Sequence, residues 1–155
     1  MTTPDAATAE DLIIREAGRA DLLAVFRIEK AVFPQPWPFA SFEQFLGNPG
    51  FLVATEDGAV VGYAIADVTT SGGRDLGHLK DIAVHPEAQG RGVGRALLRR
   101  VLVSMAVGGA NVVKLEVRES NEIAQSLYDD VGFERVRRVP GYYDDGEDAY
   151  VMVLD

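Results

Sequence analysis

The stretch HPEAQGRGVGRALLRRVL, from His85 to Leu102, places three glycines at alternate positions directly before an amphipathic run. The apolar residues of that run repeat with the spacing of one helix face, and a short apolar run with the length of a strand precedes the stretch. Because glycine carries no side chain, the backbone at the start of this helix can approach a ligand closely. The helix N-terminus adds partial positive charge. The sequence therefore predicts a loop that binds an anionic, phosphorylated ligand.

Two familiar phosphate-binding patterns do not fit these glycines. The dinucleotide fingerprint G-x-G-x-x-G fails because Gly94 comes one place early and Arg95 stands where the third glycine should be. The Walker pattern ends in Gly-Lys, a pair that occurs nowhere in the chain. What remains is a glycine-rich turn between a strand and a helix, with arginines close by. On these residues alone, a turn that binds nothing stays open as the alternative.

Composition excludes several other kinds of site. The chain has 155 residues, two histidines and no cysteine, which excludes disulfides and cysteine nucleophiles and argues against any metal site. A formal net charge of −9 argues against nucleic-acid binding, which needs a basic surface. Residues 1–11 do not resemble a signal peptide, and no apolar run approaches the roughly 20 residues that span a membrane. We therefore expect a soluble, cytoplasmic protein without a membrane partner, with a flexible tail over residues 1–11 and a single domain over residues 12–155.

The apolar periodicity predicts elements in the order β-α-α-β-β-β-α-β-α-β-β. This order is typical of an α/β protein with a mixed sheet and helices on both faces. The predicted bounds are strands at Leu12–Glu16, Leu79–Val84 and Asn111–Arg118, helices at Arg19–Phe33, Ser41–Leu46 and Asn121–Asp130, a hairpin around Asp57-Gly58, a loop that begins at Ser71, a long helix that Gly108-Gly109 ends, and two strands within Phe133–Leu154.

Four blocks of the sequence resemble the GNAT superfamily of N-acetyltransferases, and within it the ribosomal-protein alanine (RimI-like) type. In chain order they are PWPFASF at 36–42, IAVHPEAQGRGVGRALL at 82–98, LEVRESNEIAQSLYDDVGF at 115–133 and GYYDDGEDAYVM at 141–152. The resemblance covers the chain from Ile13 to Leu154. It implies the GNAT acyl-CoA N-acyltransferase fold, a mixed and mostly antiparallel sheet of six or seven strands with about four helices.

The resemblance also implies the reaction and the donor. An acetyl group would pass from acetyl-CoA to the α-amine of a protein N-terminus, with a ribosomal protein as the candidate acceptor and without a metal. Backbone amides of residues 90–95 would hold the pyrophosphate, and the backbone of Ile82 and Val84 would pair with the pantetheine arm. The full implied set of acetyl-CoA-binding residues is Ile82, Ala83, Val84, Gln89, Gly90, Arg91, Gly92, Val93, Gly94, Arg95 and Asn121.

Two residues are the candidates for moving protons. Strand alternation places Glu116 on one face with Lys114 and Arg118, and on this pattern alone a solvated face whose charges pair with one another is the better interpretation. The resemblance makes Glu116 the base that deprotonates the amine, and we expect burial to raise its pKa. It likewise makes Tyr128 the acid for the leaving thiolate, whereas the residues alone also allow a packing aromatic. Since the chain has no cysteine, direct transfer is more natural than an acyl-enzyme.

Aromatic residues in two segments predict the acceptor site. Phe33, Trp37 and Phe39 lie in a proline-rich segment, and Tyr142 and Tyr143 lie beside a glycine, so both segments are expected to be exposed loops. Because an aromatic cluster is more often core than binding surface, packing in the core stays open as the alternative. The acidic residues Glu43, Asp144, Asp145 and Glu147 could attract a cationic N-terminus or be ordinary surface charges. His78 and His85 receive no functional role, and His85 is expected in a turn. Acetylation of a small amine or a lysine side chain stays open, as does a CoA-binding sensor or partner subunit without catalysis.

Overall fold

The computed structural model describes residues 12–155, so the predicted tail at 1–11 lies outside the described residues. Within this range the chain forms seven strands and four α-helices, with short 3-10 turns at Arg19–Asp21 and Pro86–Ala88. The strands are β1 (Leu12–Glu16), β2 (Phe51–Glu56), β3 (Ala59–Ser71), β4 (Arg74–Val84), β5 (Val112–Arg118), β6 (Glu134–Val139) and β7 (Ala149–Leu154). The helices are α1 (Leu22–Val32), α2 (Phe39–Glu43), α3 (Val93–Val107) and α4 (Glu122–Val131).

The strands hydrogen-bond in the order β1-β2-β3-β4-β5-β7-β6. β4 and β5 pair in parallel, whereas β1 with β2, β2 with β3, β5 with β7 and β6 with β7 pair antiparallel. A parallel pair requires a long crossover connection, and α3 supplies it between β4 and β5. The mixed, mostly antiparallel, seven-stranded sheet and the predicted order of elements are therefore confirmed.

The described chain divides into two compact units, the first over residues 12–65 and 81–101. Its core lies between α1, α2 and strands β2 and β3. On the other side of β3, a Cβ atom at Gly62 would lie 3.0 Å from both the Leu97 side chain and the Ala83 carbonyl oxygen, so only glycine allows this approach. The buried side chains of this core cluster are Leu22, Val25, Ile28, Phe42, Phe51, Val53, Tyr63, Ile65 and Ala83.

The second unit comprises residues 66–80 and 102–155. The alternation predicted for β5 buries Val113, Leu115 and Val117 and turns Lys114, Glu116 and Arg118 to the opposite face. Gly77 lies so close to Met105 that a Cβ atom there would be 2.7 Å from the sulfur. No helix within residues 12–155 is long and apolar enough to cross a membrane.

Three predicted elements have bounds that differ from the structure by two residues or more. β4 begins at Arg74 rather than Leu79, because Gly72 and Gly73 form a tight turn at positive φ instead of opening a loop. α2 spans Phe39–Glu43 rather than Ser41–Leu46, since the extended backbone of the prolines ends at Pro38. The first helix begins with a 3-10 turn, so α1 proper starts at Leu22.

Candidate active site

The glycine-rich loop of the first unit connects β4 to α3. Gly90 and Gly92 adopt φ values of 81° and 84°, a conformation that residues with side chains rarely adopt. A Cβ atom at either position would meet no atom within 4 Å. The loop thus leaves open space beside its backbone at the N-terminus of a helix of 15 residues, where amide groups and the helix dipole favour an anion.

Side-chain contacts fix both flanks of this loop. The Gln89 amide donates to the Val84 carbonyl oxygen over 3.1 Å, and the Arg91 guanidinium donates to a Glu56 carboxylate oxygen over 2.7 Å. Val93 is buried, so its side chain belongs to the core of the first unit. The guanidinium of Arg91 is therefore already paired with a carboxylate in this structure.

Glu116 lies on β5 within a cluster of the second unit. One carboxylate oxygen lies 2.7 Å from His78 Nε2, and the other lies 3.2 Å from the Lys114 ammonium nitrogen. Parallel pairing of β4 and β5 produces this contact, because it places His78 directly beside Lys114 in register. The Glu116 side chain is only 12% exposed. A nearly buried carboxylate is thus flanked by an imidazole and an ammonium group.

The expectation that burial raises the pKa of Glu116 is wrong. Burial does act in that direction, but the hydrogen bond and charge of His78, helped by Lys114, outweigh it. The pKa of Glu116 therefore lies below its ordinary value, and the carboxylate is ionised at neutral pH.

The proline-rich segment of the first unit packs its aromatic rings inward. Trp37 is half-buried and stacks on Phe45 at a centroid distance of 5.9 Å. Phe33 is also half-buried and packs on the core, whereas Phe39 is exposed and lies edge-on to Phe26 at 5.7 Å. The expectation of an exposed aromatic loop is therefore correct only in part.

The tyrosine segment of the second unit lies between β6 and β7. Tyr142 is exposed and meets Tyr143 edge-on at 4.9 Å, while the Arg118 guanidinium lies 4.1 Å from the centre of the Tyr143 ring. Burial raises the pKa of Tyr143 to about 12, and burial together with the charge of Glu116 raises the pKa of Tyr142. The structure thus brings Glu116 and these two tyrosines together.

Comparison with known proteins decides the family. The model of the Acetyltransferase (GNAT) family matches residues 22–133. The chain belongs to the GNAT acetyltransferase family.

Individual relatives match almost the whole chain. The N-alpha-acetyltransferase RimI of Mycobacterium tuberculosis is 39% identical over 161 residues, covering 96% of each protein. An N-alpha-acetyltransferase of Sulfurisphaera tokodaii is 35% identical over 163 residues, covering 98% of each. Among solved structures, the ribosomal-protein-S18-alanine N-acetyltransferase from Escherichia coli superposes with a TM-score of 0.80 at 32% identity, covering 92% of each chain. The RimI-like resemblance and the predicted fold are confirmed.

A GNAT enzyme is an acetyl-CoA-dependent N-acetyltransferase, and the glycine-rich loop fits that donor. Open space beside Gly90 and Gly92 would admit phosphate oxygens to the backbone. Ile82 and Val84 are half-buried at the end of β4, and Ala83 is buried against the core. Gly94 and Arg95 follow in the first turn of α3 and are half-buried.

Two further predicted site residues lie on or beside α4. Tyr128 is only 6% exposed and its ring packs edge-on against Phe133 at 5.8 Å. The Asn121 side chain accepts a hydrogen bond from the Ala124 backbone nitrogen over 3.2 Å, which confirms the predicted N-cap. The acid role of Tyr128 and the cofactor contact of Asn121 stay predictions.

Most of the acidic residues considered for the acceptor site already have cationic partners. Arg118 pairs with Asp145 at 2.9 Å and with Glu147 at 2.8 Å, and hydrogen bonds from Ser120 and Arg118 lower the pKa of Glu147 to about 2. Glu43 pairs with Arg19 at 3.2 Å. His85 caps the short turn before the glycines, as expected, by accepting from the Glu87 nitrogen.

Sequence reasoning missed His78 and Glu29. His78 receives no role because the predicted strand begins at Leu79, five residues after the true start at Arg74; in the true strand, the parallel register places His78 beside Lys114. Glu29 interrupts the apolar face of α1 between Ile28 and Val32 and is only 1% exposed. An acidic residue on an apolar helix face was the signal that could have found it.

Proposed function

We propose that this chain transfers the acetyl group of acetyl-CoA to the α-amine of a protein N-terminus. The observation that carries the proposal is the likeness, over more than nine tenths of both chains, to N-alpha-acetyltransferases. A ribosomal-protein N-terminus beginning with alanine, the acceptor of the Escherichia coli relative, is the finer proposal. We place the reaction in the cytoplasm and assign it to residues 12–155 as one acetyltransferase domain.

The glycine-rich loop is proposed to hold the donor. Backbone amides of residues 90–95 would bind the pyrophosphate, and Gln89 and Arg91 would fix the loop through Val84 and Glu56. The backbone of Ile82 and Val84 would pair with the pantetheine arm, with Asn121 as a further contact. Acetyl-CoA, when bound, supplies an acetyl group on a thioester that the acceptor amine attacks.

Glu116 and His78 are proposed to remove the ammonium proton as a pair. An ionised Glu116 accepts the Nε2 proton of His78, which orients the imidazole and leaves Nδ1 as its second nitrogen. A carboxylate with a lowered pKa is a weak base by itself, whereas one that holds an imidazole in place lets that imidazole take part in the proton transfer. Glu116 therefore acts through His78 as well as by its own charge.

Tyr128 is proposed as the acid that protonates the departing thiolate. Tyr128 is only 6% exposed, and proton donation lowers the barrier for expelling a thiolate. In the first unit Phe33 and Trp37, and separately in the second unit Tyr142 and Tyr143, are proposed as residues that contact the acceptor. The charge of Glu116, which reaches both tyrosines, would attract the α-ammonium group.

A peptide-library assay tests this function. Release of free CoA thiol is measured for short peptides that vary in their first two residues, with acetyl-CoA as donor. Turnover with free α-amines, strongest for an N-terminal alanine, is the expected result. Turnover only on lysine side chains of N-terminally blocked peptides, or only on small amines, would contradict the proposal. Binding of acetyl-CoA without turnover on any amine would identify a sensor or partner subunit instead.

A further inference from the structure

Three polar side chains from separate elements meet inside the first unit. Tyr63 on β3 is completely buried and Glu29 on α1 is 1% exposed, while Asp81 on β4 is half-buried. The Tyr63 hydroxyl donates to Glu29 Oε1 and lies 3.3 Å from Asp81 Oδ2. Glu29 Oε2 accepts from the backbone nitrogen of Trp37 over 2.9 Å. Burial of a carboxylate is costly unless both oxygens are hydrogen-bonded, and here both are.

The number of protons in this cluster determines which group donates to which. Burial and the charges of Asp81 and Glu29 raise the pKa of Tyr63, so its hydroxyl keeps its single proton and donates it to Glu29. Asp81 can then bond to the same oxygen only by donating a proton of its own. Burial and the neighbouring Glu29 raise the pKa of Asp81 well above its ordinary value, which keeps that proton in place. The chain therefore runs from Asp81 to Tyr63 to Glu29.

The far end of this chain holds the proline-rich segment. Proline has no N–H group, so Pro34, Pro36 and Pro38 leave this segment few backbone donors. Glu29 accepts from two of them: its carbonyl oxygen from the Phe33 nitrogen over 3.0 Å, and its carboxylate from Trp37. One residue of α1 therefore fixes both ends of the stretch from Phe33 to Trp37.

Ring packing extends the same arrangement. Trp37 lies 5.5 Å from Phe42, and Phe42 meets the ring of Tyr63 edge-on at 5.8 Å. Tyr63 therefore supports Trp37 both by its hydroxyl, through Glu29, and by its ring, through Phe42. A shift of the Glu29 carboxylate would move the Trp37 backbone, on which the indole depends.

We propose that Glu29 is a positioning residue for the acceptor, which holds Trp37 in the place where the first residues of the acceptor peptide bind. The inference rests on the proposed function in assigning the proline-rich segment to the acceptor. Glu29 touches neither substrate and acts through the Trp37 backbone. Its loss is therefore expected to raise the KM for the acceptor peptide while the affinity for acetyl-CoA stays unchanged.

Trp37 is the only tryptophan of the chain, so its fluorescence reports on this segment directly, without any substrate. We compare Glu29→Met, which removes both acceptors, with Glu29→Gln as the matched control. The glutamine oxygen can still accept from Trp37 while its amide nitrogen donates to Tyr63. Without the charge of Glu29, Asp81 can release its proton and accept that of Tyr63 instead. Glu29→Met is expected to increase acrylamide quenching of Trp37 and to raise the peptide KM about tenfold, as for a lost hydrogen bond to a charged group. Glu29→Gln is expected to stay within about twofold of the wild type in acrylamide quenching and in peptide KM.

Several results would overturn the proposal. One is a folded Glu29→Met protein with wild-type quenching and peptide KM; another is an equal loss of affinity for acetyl-CoA, which would indicate general damage. If Glu29→Met does not fold, Tyr63→Phe is used instead, because it removes one hydrogen bond to Glu29 and keeps the aromatic ring. Wild-type quenching and a wild-type peptide KM in Tyr63→Phe would also overturn the proposal. If the wild type acetylates no N-terminal peptide, the proposed function fails, while quenching in Glu29→Met still decides whether Glu29 positions the segment.

Discussion

Each of the two units buries a glutamate, and the partners of the two carboxylates differ completely. In the first unit, Glu29 is bound by a backbone N–H and a phenol, with no cation among these partners. In the second unit, Glu116 is bound by an imidazole and an ammonium group and keeps 12% of its side chain exposed. Neutral donors on rigid elements hold a carboxylate in one place, whereas a titratable partner at an accessible site can exchange protons.

This difference separates a structural carboxylate from a chemical one. Removal of Glu29 leaves a buried N–H and a buried hydroxyl without an acceptor, which costs stability. Removal of the charge of Glu116 leaves His78 and Lys114 near solvent, where water replaces the lost partner. We therefore expect that substitution of Glu29 lowers stability and that substitution of Glu116 lowers turnover.

Glu116→Gln is expected to give the largest effect. Without the carboxylate, His78 loses the acceptor that fixes its tautomer, and turnover should fall about 10²- to 10⁴-fold, the range of a lost general base. Thiol release with an N-terminal alanine peptide measures this, with thermal unfolding and acetyl-CoA affinity measured in parallel. Glu119→Gln is the matched control, because Glu119 pairs with Arg138 instead. Unchanged turnover in Glu116→Gln would show that Glu116 and His78 do not act together as the base.

How far the sequence predicts this site depends on the distance between the partners along the chain. The glycine-rich loop, the Asn121 cap and the face of β5 that carries Glu116 are local patterns, and all three appear in the structure. The contact of His78 with Glu116 joins residues 38 positions apart. It depends on the register of a parallel pair across a helix, which no local pattern specifies.

The pKa of Glu116 shows the same limit. The family resemblance predicts burial of Glu116, and burial alone raises the pKa of a carboxyl group. The pKa of Glu116 is lowered instead because two neighbours, the distant His78 and Lys114, outweigh burial. Likewise, the spacing in α1 places Glu29 on the apolar face, but its partner Tyr63 lies 34 positions away. Only the folded chain shows that both carboxylates are satisfied.

Glu29→Met tests the structural side of the comparison. Two buried donors lose their acceptor, so the free energy of unfolding should fall by about 2 kcal/mol. For a chain of this size, that corresponds to a melting temperature lower by about 4–8 °C. Thermal unfolding followed by circular dichroism measures the loss, with Glu29→Gln as the control that keeps an acceptor for Trp37. A loss of stability in Glu116→Gln as large as that in Glu29→Met would erase the distinction between the two glutamates.

A substitution in the glycine-rich loop tests acetyl-CoA binding without changing either glutamate. Gly92→Val places a branched side chain at a φ of 84° and in the open space proposed for the pyrophosphate, so affinity for acetyl-CoA should fall at least about tenfold. Gly47→Val is the matched control, because Gly47 has a φ of 86° and equally open surroundings in another turn. Calorimetric titration with acetyl-CoA compares the two. Equal losses of acetyl-CoA affinity in Gly92→Val and Gly47→Val would mean that backbone strain, and not the proposed pyrophosphate site, causes the loss.

Asp81→Asn gives the smallest and most specific effect. In the wild type, the raised pKa of Asp81 means that the folded state binds a proton more tightly than the unfolded state. Stability from this group is therefore complete below about pH 4, the ordinary pKa of an aspartate, and is lost as the pH rises through the folded-state pKa. The groups that face Asp81 are Glu29, Tyr63 and the Ile82 backbone nitrogen. Asparagine donates to Tyr63 at every pH, so the variant should keep its stability as the pH rises.

Melting temperatures at a series of pH values from 5 to 9 measure this difference, with Asp81→Ala as the variant that cannot donate. The wild type should lose stability relative to Asp81→Asn as the pH rises, and Asp81→Ala should be less stable than Asp81→Asn throughout. Parallel melting curves for the wild type and Asp81→Asn would mean that Asp81 does not donate to Tyr63. The first unit would then hold a second carboxylate charge beside Glu29, and the hydrogen-bond chain from Asp81 through Tyr63 to Glu29 would be wrong.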